Sequence, residues 1–290
     1  MQYAFYPGCV SKGGCPELYP AALKVCERLG IDLVEMTDVG CTGAGVLPAE
    51  ISDPINARTF AQAEAQGLPI MTICSTCTGV MTQANARLQE ERYREAINAE
   101  HLAEEGLRYR GATKVKHLLW VLFEDYGLEK LKEHLTTSLE GLRVAPFYGC
   151  YIRRPSDLIT KDFKGRKEYL DELIEALGAE VTEYSGKGKC CGFPILTSNE
   201  RNSLAMAGNH THEAKSKGAD CMVTPCPLCH LNLDGNQDRA GAQKGVEIDL
   251  PVLHLPQLLG LAMGFSPDEL QLQRHLVDTR PLREKMSVLA

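Results

Sequence analysis

Twelve cysteines stand in this 290-residue sequence, and nine of them fall into repeated groups. Cys74 and Cys77 form one Cys-x-x-Cys turn, Cys226 and Cys229 form another, and Cys190 is followed at once by Cys191 and Gly192. Cys9, Cys41 and Cys150 stand singly between these groups. A Cys-x-x-Cys turn presents two sulfurs on one side of a tight loop, which suits a zinc ion or an iron–sulfur cluster. The adjacent pair discriminates between the two. Neighbouring side chains diverge and rarely both reach one small tetrahedral ion, whereas a larger cluster offers them different irons. The pair therefore favours iron–sulfur chemistry over zinc or unliganded buried thiols. The five thiolates Cys150, Cys190, Cys191, Cys226 and Cys229 exceed the four that a structural zinc or an ordinary cubane takes, so one is spare or the cluster is unusual.

In the first half the doublet is broken, because Cys41 is followed by Thr42. Cys9, Cys41, Cys74 and Cys77 remain, enough for an ordinary 4Fe–4S cubane or for zinc. Cys15, in a glycine-flanked loop, is either a free loop thiol or a fifth sulfur for that set. Cys26 and Cys221 read as small buried hydrophobes. Arg153 and Arg154 follow Cys150, while Lys187 and Lys189 precede Cys190. They make a candidate basic rim for an anionic substrate or partner, with solvated loop charge as the alternative. His117 and His254 occupy matched places at two helix starts and read as packing or capping residues. His210 and His212 lie in a polar helix, and His230, directly after Cys229, is a candidate support for the ligands. No phosphate-binding glycine loop, Ser/His/Asp order or carboxylate pair rises above background.

The groups recur because the chain repeats itself. "FYPGC" at 5–9 returns as "PFYGC" at 146–150, and "LGIDLVEMTDVGCTG" at 29–43 returns as "LGAEVTEYSGKGKCCG" at 177–192. "LPIMTICSTC" at 68–77 returns as "ADCMVTPCPLC" at 219–229, and "VKHLLWVLFEDYG" at 115–127 is echoed by "VLHLPQLLGLAMG" at 252–264. Within each half, short β-branched or apolar runs ("YAFY", "DLVEM", "IMTI", then "VAPFY", "EVTEY", "CMVT") alternate with helical patterns at 16–30, 78–108 and 199–217. The pattern predicts an α/β fold with two pseudo-symmetric tandem domains, 1–140 and 141–290, each a small, mostly parallel sheet flanked by helices. Ligands collect beyond the carboxyl ends of parallel strands, and every repeated cysteine segment falls there.

Composition bounds the rest. With 44% hydrophobic and 24% charged residues the chain matches a globular protein. A net charge of −7 argues against nucleic acid or an anionic membrane as the main partner. The longest nearly apolar stretch, 253–265, is well short of the roughly 20 residues of a membrane helix. The opening residues carry neither a basic leader nor an apolar core, so a cytoplasmic, reducing location is expected for these thiols.

Cys150, "CCG" at 190–192 and "CPLC" at 226–229, with a first copy in Cys9, "CTG" at 41–43 and "CSTC" at 74–77, resemble the CCG domain. Two such domains, opening on "YPGCVSKGGC" and closing on "TPCPLCHLNLD", resemble the B-type subunit of heterodisulfide reductase over essentially the whole chain. The resemblance implies a noncubane 4Fe–4S cluster on Cys150, Cys190, Cys191, Cys226 and Cys229 that cleaves or forms a disulfide in one-electron steps. It also implies partners: a ferredoxin-like C-type subunit, a flavin-bearing A-type subunit and, in sulfur-oxidising complexes, a lipoate-binding sulfur carrier. Thr42 departs from the pattern, so the first copy is expected to hold a conventional 4Fe–4S cluster on Cys9, Cys41, Cys74 and Cys77. That departure favours the sulfur-oxidising type over the methanogenic reductase of the coenzyme M–coenzyme B disulfide. The rival expectations are an electron-transfer subunit of a flavin-dependent oxidoreductase and a zinc-stabilised binding module.

Overall fold

A computed structural model of the chain describes residues 1–289. Eight short strands form two four-stranded sheets, and every pairing is parallel. The first sheet has the order β2-β1-β3-β4, from Gln2–Tyr6 (β1), Asp32–Glu35 (β2), Ile70–Thr72 (β3) and Val115–His117 (β4). The second repeats it as β6-β5-β7-β8, from Arg143–Pro146 (β5), Glu180–Val181 (β6), Cys221–Thr224 (β7) and Val252–His254 (β8). The central strands are buried on both faces, as parallel strands covered by crossover helices must be.

The helices explain how the halves join. Leu18, Ala22 and Val25 line the buried face of Leu18–Arg28, and Gly30 at φ +63° stops it. That helix packs on Leu255–Ala262 of the second half, while Tyr169–Ala176 of the second half packs on Leu118–Val121 of the first. The exchange is reciprocal, as a pseudo-two-fold axis requires. Both hydrophobic cores accordingly draw on both halves: Phe5, Trp120, Tyr148 and Leu258 share one, and Phe60, Met81, Phe147 and Met222 the other.

Several elements differ from the sequence expectation. Each half carries a fourth strand before the helix that follows His117 or His254. The helix expected over 78–108 is broken: Ser75–Arg87 ends, and Glu90 starts Glu91–Ile97 by accepting from the Arg92 and Tyr93 N–H groups at 2.9 and 2.7 Å. A further helix, Ala49–Ala65, hides from hydrophobic periodicity because its buried side includes Ser52, Asp53, Asn56 and Thr59. No helix of the described residues is long and apolar enough to cross a membrane.

Candidate metal centres

All nine grouped cysteines lie in the segments that follow the carboxyl ends of strands. In the first half, Gly8 turns the chain at φ +80°, and a Cβ there would stand 3.3 Å from Cys77 Sγ. Glycine thus lets the backbone close on the sulfur. Cys74 caps the helix Ser75–Arg87, its Sγ accepting from the Cys77 N–H at 3.4 Å. The Cys9 and Cys41 sulfurs lie 4.0 Å apart at an exposed edge, well beyond the about 2.05 Å of a disulfide. Thr42 is buried and directs its hydroxyl to Cys77 Sγ at 3.7 Å. A cavity of about 30 Å³ lies among Cys9, Cys41, Cys74 and Cys77.

The second half repeats this arrangement. A Cβ on Gly149, at φ +68°, would stand 3.0 Å from Cys229 Sγ. Three side chains fix the carbonyls of the Cys-Cys-Gly turn. His210 Nε2 donates to Cys190 O at 3.0 Å, Asn232 Nδ2 to Cys191 O at 2.6 Å, and Ser203 Oγ to Gly192 O at 2.9 Å. Cys150 opens on a groove of about 880 Å³ shared with Arg153, Arg154 and Lys167. Cys150, Cys191 and Cys229 also line an apolar chamber of about 210 Å³ walled by Val46, Phe193, Leu196 and Leu228.

The thiols are too crowded to ionise together. Cys150 and Cys191 donate toward Cys190 and hold its thiol far below the usual range, while their own thiols are pushed up beside it. Cys226 is likewise held down by the Cys229 and Cys74 thiols. Cys74, against Cys226, and Cys229, against Cys191 and Cys226, are driven well up. Buried sulfurs in this arrangement share protons, and a cation among them would take the protons' place.

The two poles touch. Thr76 Oγ1 lies 3.3 Å from Cys226 Sγ, and the Cys74 and Cys226 sulfurs approach each other across the pseudo-axis. Pro225 O holds the junction, accepting from Ser75 N–H at 3.2 Å, Ser75 Oγ at 3.0 Å and His117 Nε2 at 2.9 Å. Burial pushes the His117 imidazole down to about 4, so it is neutral there.

Other candidates fall elsewhere. Cys15 does not line the Cys9, Cys41, Cys74 and Cys77 cavity; its sulfur lies 3.6 Å from both Pro227 O and His230 Nδ1 of the second half. Arg153 lines the Cys150 groove, but Lys187 is held by Asp171 at 2.7 Å and Glu183 at 3.0 Å. Lys189 lines a separate pocket with Cys190 and His210. Cys26 and Cys221 are buried; burial alone pushes Cys26 up to about 12. His117 caps its helix, its Nδ1 accepting from the Leu119 N–H at 3.0 Å. The roles of Asn232, Ser203 and the carbonyl bond of His210 have no signal in the sequence, since nothing around these residues marks the backbone atoms they reach.

Comparisons with known proteins agree with this geometry. The cysteine-rich domain family, CCG, matches residues 3–82 and 144–234. The B-type subunit of the ferredoxin:CoB-CoM heterodisulfide reductase of Methanosarcina mazei is 33% identical, covering 94% of this chain and 93% of that one. A protein of Archaeoglobus profundus named for its likeness to the same heterodisulfide reductase subunit is also 33% identical, covering 93% of each chain. The membrane anchor subunit of 8-methylmenaquinol:fumarate reductase from Wolinella succinogenes is 35% identical, covering 97% of this chain and 99% of that one. Among solved structures, a hypothetical protein from Helicobacter pylori shares the fold at a TM-score of 0.75 and 16% identity, covering 96% of this chain and 52% of its own. With both domain copies matched and these relatives aligned along nearly its whole length, the chain belongs to the duplicated cysteine-rich CCG family, alongside the B-type subunits of heterodisulfide reductase.

Proposed function

We propose that this chain is the iron–sulfur subunit of a multi-subunit redox complex that makes or breaks a sulfur–sulfur bond. In this reading Cys150, Cys190, Cys191, Cys226 and Cys229 hold a noncubane 4Fe–4S cluster. Cys9, Cys41, Cys74 and Cys77 hold a conventional one that relays electrons. The observation that carries the reading is the asymmetry of the two poles: five sulfurs meet at one, while Thr42 turns a hydroxyl toward Cys77 at the other. The donor sets fit such groups. Thiolates are the soft ligands iron prefers, and Gly8 and Gly149 keep side chains from between backbone and sulfur. When bound, the clusters would supply single electrons and a soft site for a substrate sulfur.

The chain's own residues provide the setting. Arg153, Arg154 and Lys167 hold an anionic group in the groove beside Cys150. Phe193, Leu196 and Leu228 exclude water from the chamber behind it. A disulfide needs two electrons and two protons to give two thiols, so the half-reduced state must be kept dry until the second electron arrives. The contact between Cys74 and Cys226 gives that electron a short path. Electrons pass between the clusters and a ferredoxin-like and a flavin-bearing partner, with the exposed Cys9–Cys41 edge as the point of exchange. The Thr42 departure favours a complex of the sulfur-oxidising type, with sulfur presented on a carrier. The test is disulfide-dependent oxidation of reduced viologen by the intact complex. Turnover that disappears in Cys191→Ala supports the reading; turnover unchanged in that variant ends it.

A second reading rests on the Wolinella relative, which is named for a fumarate reductase. On that view the chain passes electrons to or from a flavin-dependent oxidoreductase. The complex would then consume no disulfide, although both clusters would still be reduced and reoxidised.

A further inference from the structure

Beside the second cysteine set lies a group of polar side chains that neither proposed cluster uses. Cys15 and Glu17, from the segment before the helix Leu18–Arg28, meet His230 and His254 of the other half. All four are buried, and one donor atom from each lies within 4.8 Å of the other three. Cys15 Sγ is 3.6 Å from His230 Nδ1, and Glu17 Oε1 is 2.9 Å from His254 Nε2.

The hydrogen bonds fix where the lone pairs point. Gln257 donates its Nε2 to Leu270 O at 3.0 Å and therefore turns its oxygen to His275 Nε2, also at 3.0 Å. With a proton placed on Nε2 by that bond, His275 turns its Nδ1 to His230 Nε2, which donates to it at 3.2 Å. His230 Nδ1 is left as a bare lone pair facing Cys15. An imidazole whose far nitrogen donates to a fixed acceptor is the usual form of a metal ligand.

His254 differs from its counterpart in the first half. His117 is locked, its Nδ1 accepting from the Leu119 N–H and its Nε2 donating to Pro225 O. In the second copy the residue two places after the histidine is Pro256, which has no N–H. His254 Nδ1 is buried without a hydrogen-bond partner. His254 therefore carries its proton on Nε2 and donates it to Glu17 Oε1 at 2.9 Å, and a cation between the two would take that proton's place. The charge points the same way. Glu17 and Asp234 are buried, and among the described residues no lysine or arginine comes within 4.0 Å of either carboxylate. A cation would supply the missing positive charge.

We propose that Cys15, Glu17, His230 and His254 form a buried four-ligand site for one zinc-class divalent cation, which staples the two halves together. One thiolate, two imidazoles and one carboxylate are donors that zinc takes in tetrahedral coordination. The site shares no residue with the nine cluster cysteines, so its occupancy does not depend on the redox reading above.

The test uses the full chain, purified anaerobically after growth with added zinc. Zinc and iron are measured together, and the zinc X-ray absorption edge is recorded. The expected result is about one zinc per chain with one sulfur and three nitrogen or oxygen neighbours. Zinc should fall at least about tenfold in Glu17→Gln and His254→Gln, with iron and acid-labile sulfide unchanged. Cys191→Ala should do the reverse, losing iron and keeping zinc. Zinc below about a tenth of an equivalent, zinc that persists in both variants, or a shell of three or four sulfurs would each overturn the proposal. Should a variant fail to fold, the wild-type absorption spectrum still decides.

Discussion

Replacing Gly149 by alanine places a methyl group 3.0 Å from Cys229 Sγ, on a backbone at φ +68°. Two costs add. A side chain in the left-handed region costs about 1–2 kcal/mol, and forcing a methyl into a packed site costs about 1–3 kcal/mol more. Cys229 is buried, so its sulfur can move only by disturbing its neighbours. Gly67 separates the two costs, because it has nearly the same φ, +67°, with nothing within 4 Å of its would-be Cβ. Gly67→Ala should lose only the backbone portion and keep its full metal content. Gly149→Ala should lose roughly 2–5 kcal/mol, a fall of roughly 3–8 °C in melting temperature for a chain of this size. It should also lose the iron held by the second set while the first set keeps its own. The assays are thermal unfolding with iron and acid-labile sulfide counts on anaerobic samples. If Gly149→Ala melts with Gly67→Ala and carries wild-type iron, the close approach of backbone to Cys229 has no role in holding a metal.

Further outcomes follow from the same geometry. Thr42→Cys restores the doublet beside Cys77, and the EPR signature of the first cluster should move toward that of the second; an unchanged spectrum counts against the Thr42 argument. Asn232→Ala leaves Cys191 O without its 2.6 Å donor, at a cost of about 1–3 kcal/mol. It should alter the second cluster's spectrum alone, and altered spectra of both clusters would refute that assignment. His117, held neutral by burial with its imidazole near 4, should make stability fall as pH drops from about 6.5 toward 4, because the unfolded chain takes up the proton first. The slope is about 1.4 kcal/mol per pH unit, and urea unfolding of His117→Gln at pH 7, 6 and 5 should lack it. Parallel profiles would show that His117 is not the titrating group.

The internal repeat made much of this molecule legible before its structure. Strand runs such as "YAFY" and "CMVT" and the cysteines that follow them fall where parallel sheets gather ligands. What stayed hidden has physical causes. Ala49–Ala65 buries Asp53 beneath an Arg87 ion pair at 2.6 Å, so polar residues occupy positions that periodicity treats as exposed. The fourth strands are three residues each, too short to show alternation. A sequence pattern reports that a face is buried but not what covers it. The exchange of helices across the pseudo-axis, and the placing of Cys15 against His230, were therefore out of reach. Lys187 illustrates the same limit, since only the fold reveals that Asp171 claims it.

The central claim is an asymmetric pair of iron–sulfur clusters, and one comparison tests it most directly. Wild-type chain and Cys191→Ala are purified anaerobically, assayed for iron and acid-labile sulfide, and examined by EPR in oxidised and reduced states. The expected result is about eight irons and eight sulfides per chain in two spectroscopically distinct clusters, with only the second lost in Cys191→Ala. Zinc at the cluster cysteines with no acid-labile sulfide, or two identical clusters that both survive the loss of Cys191, would contradict it.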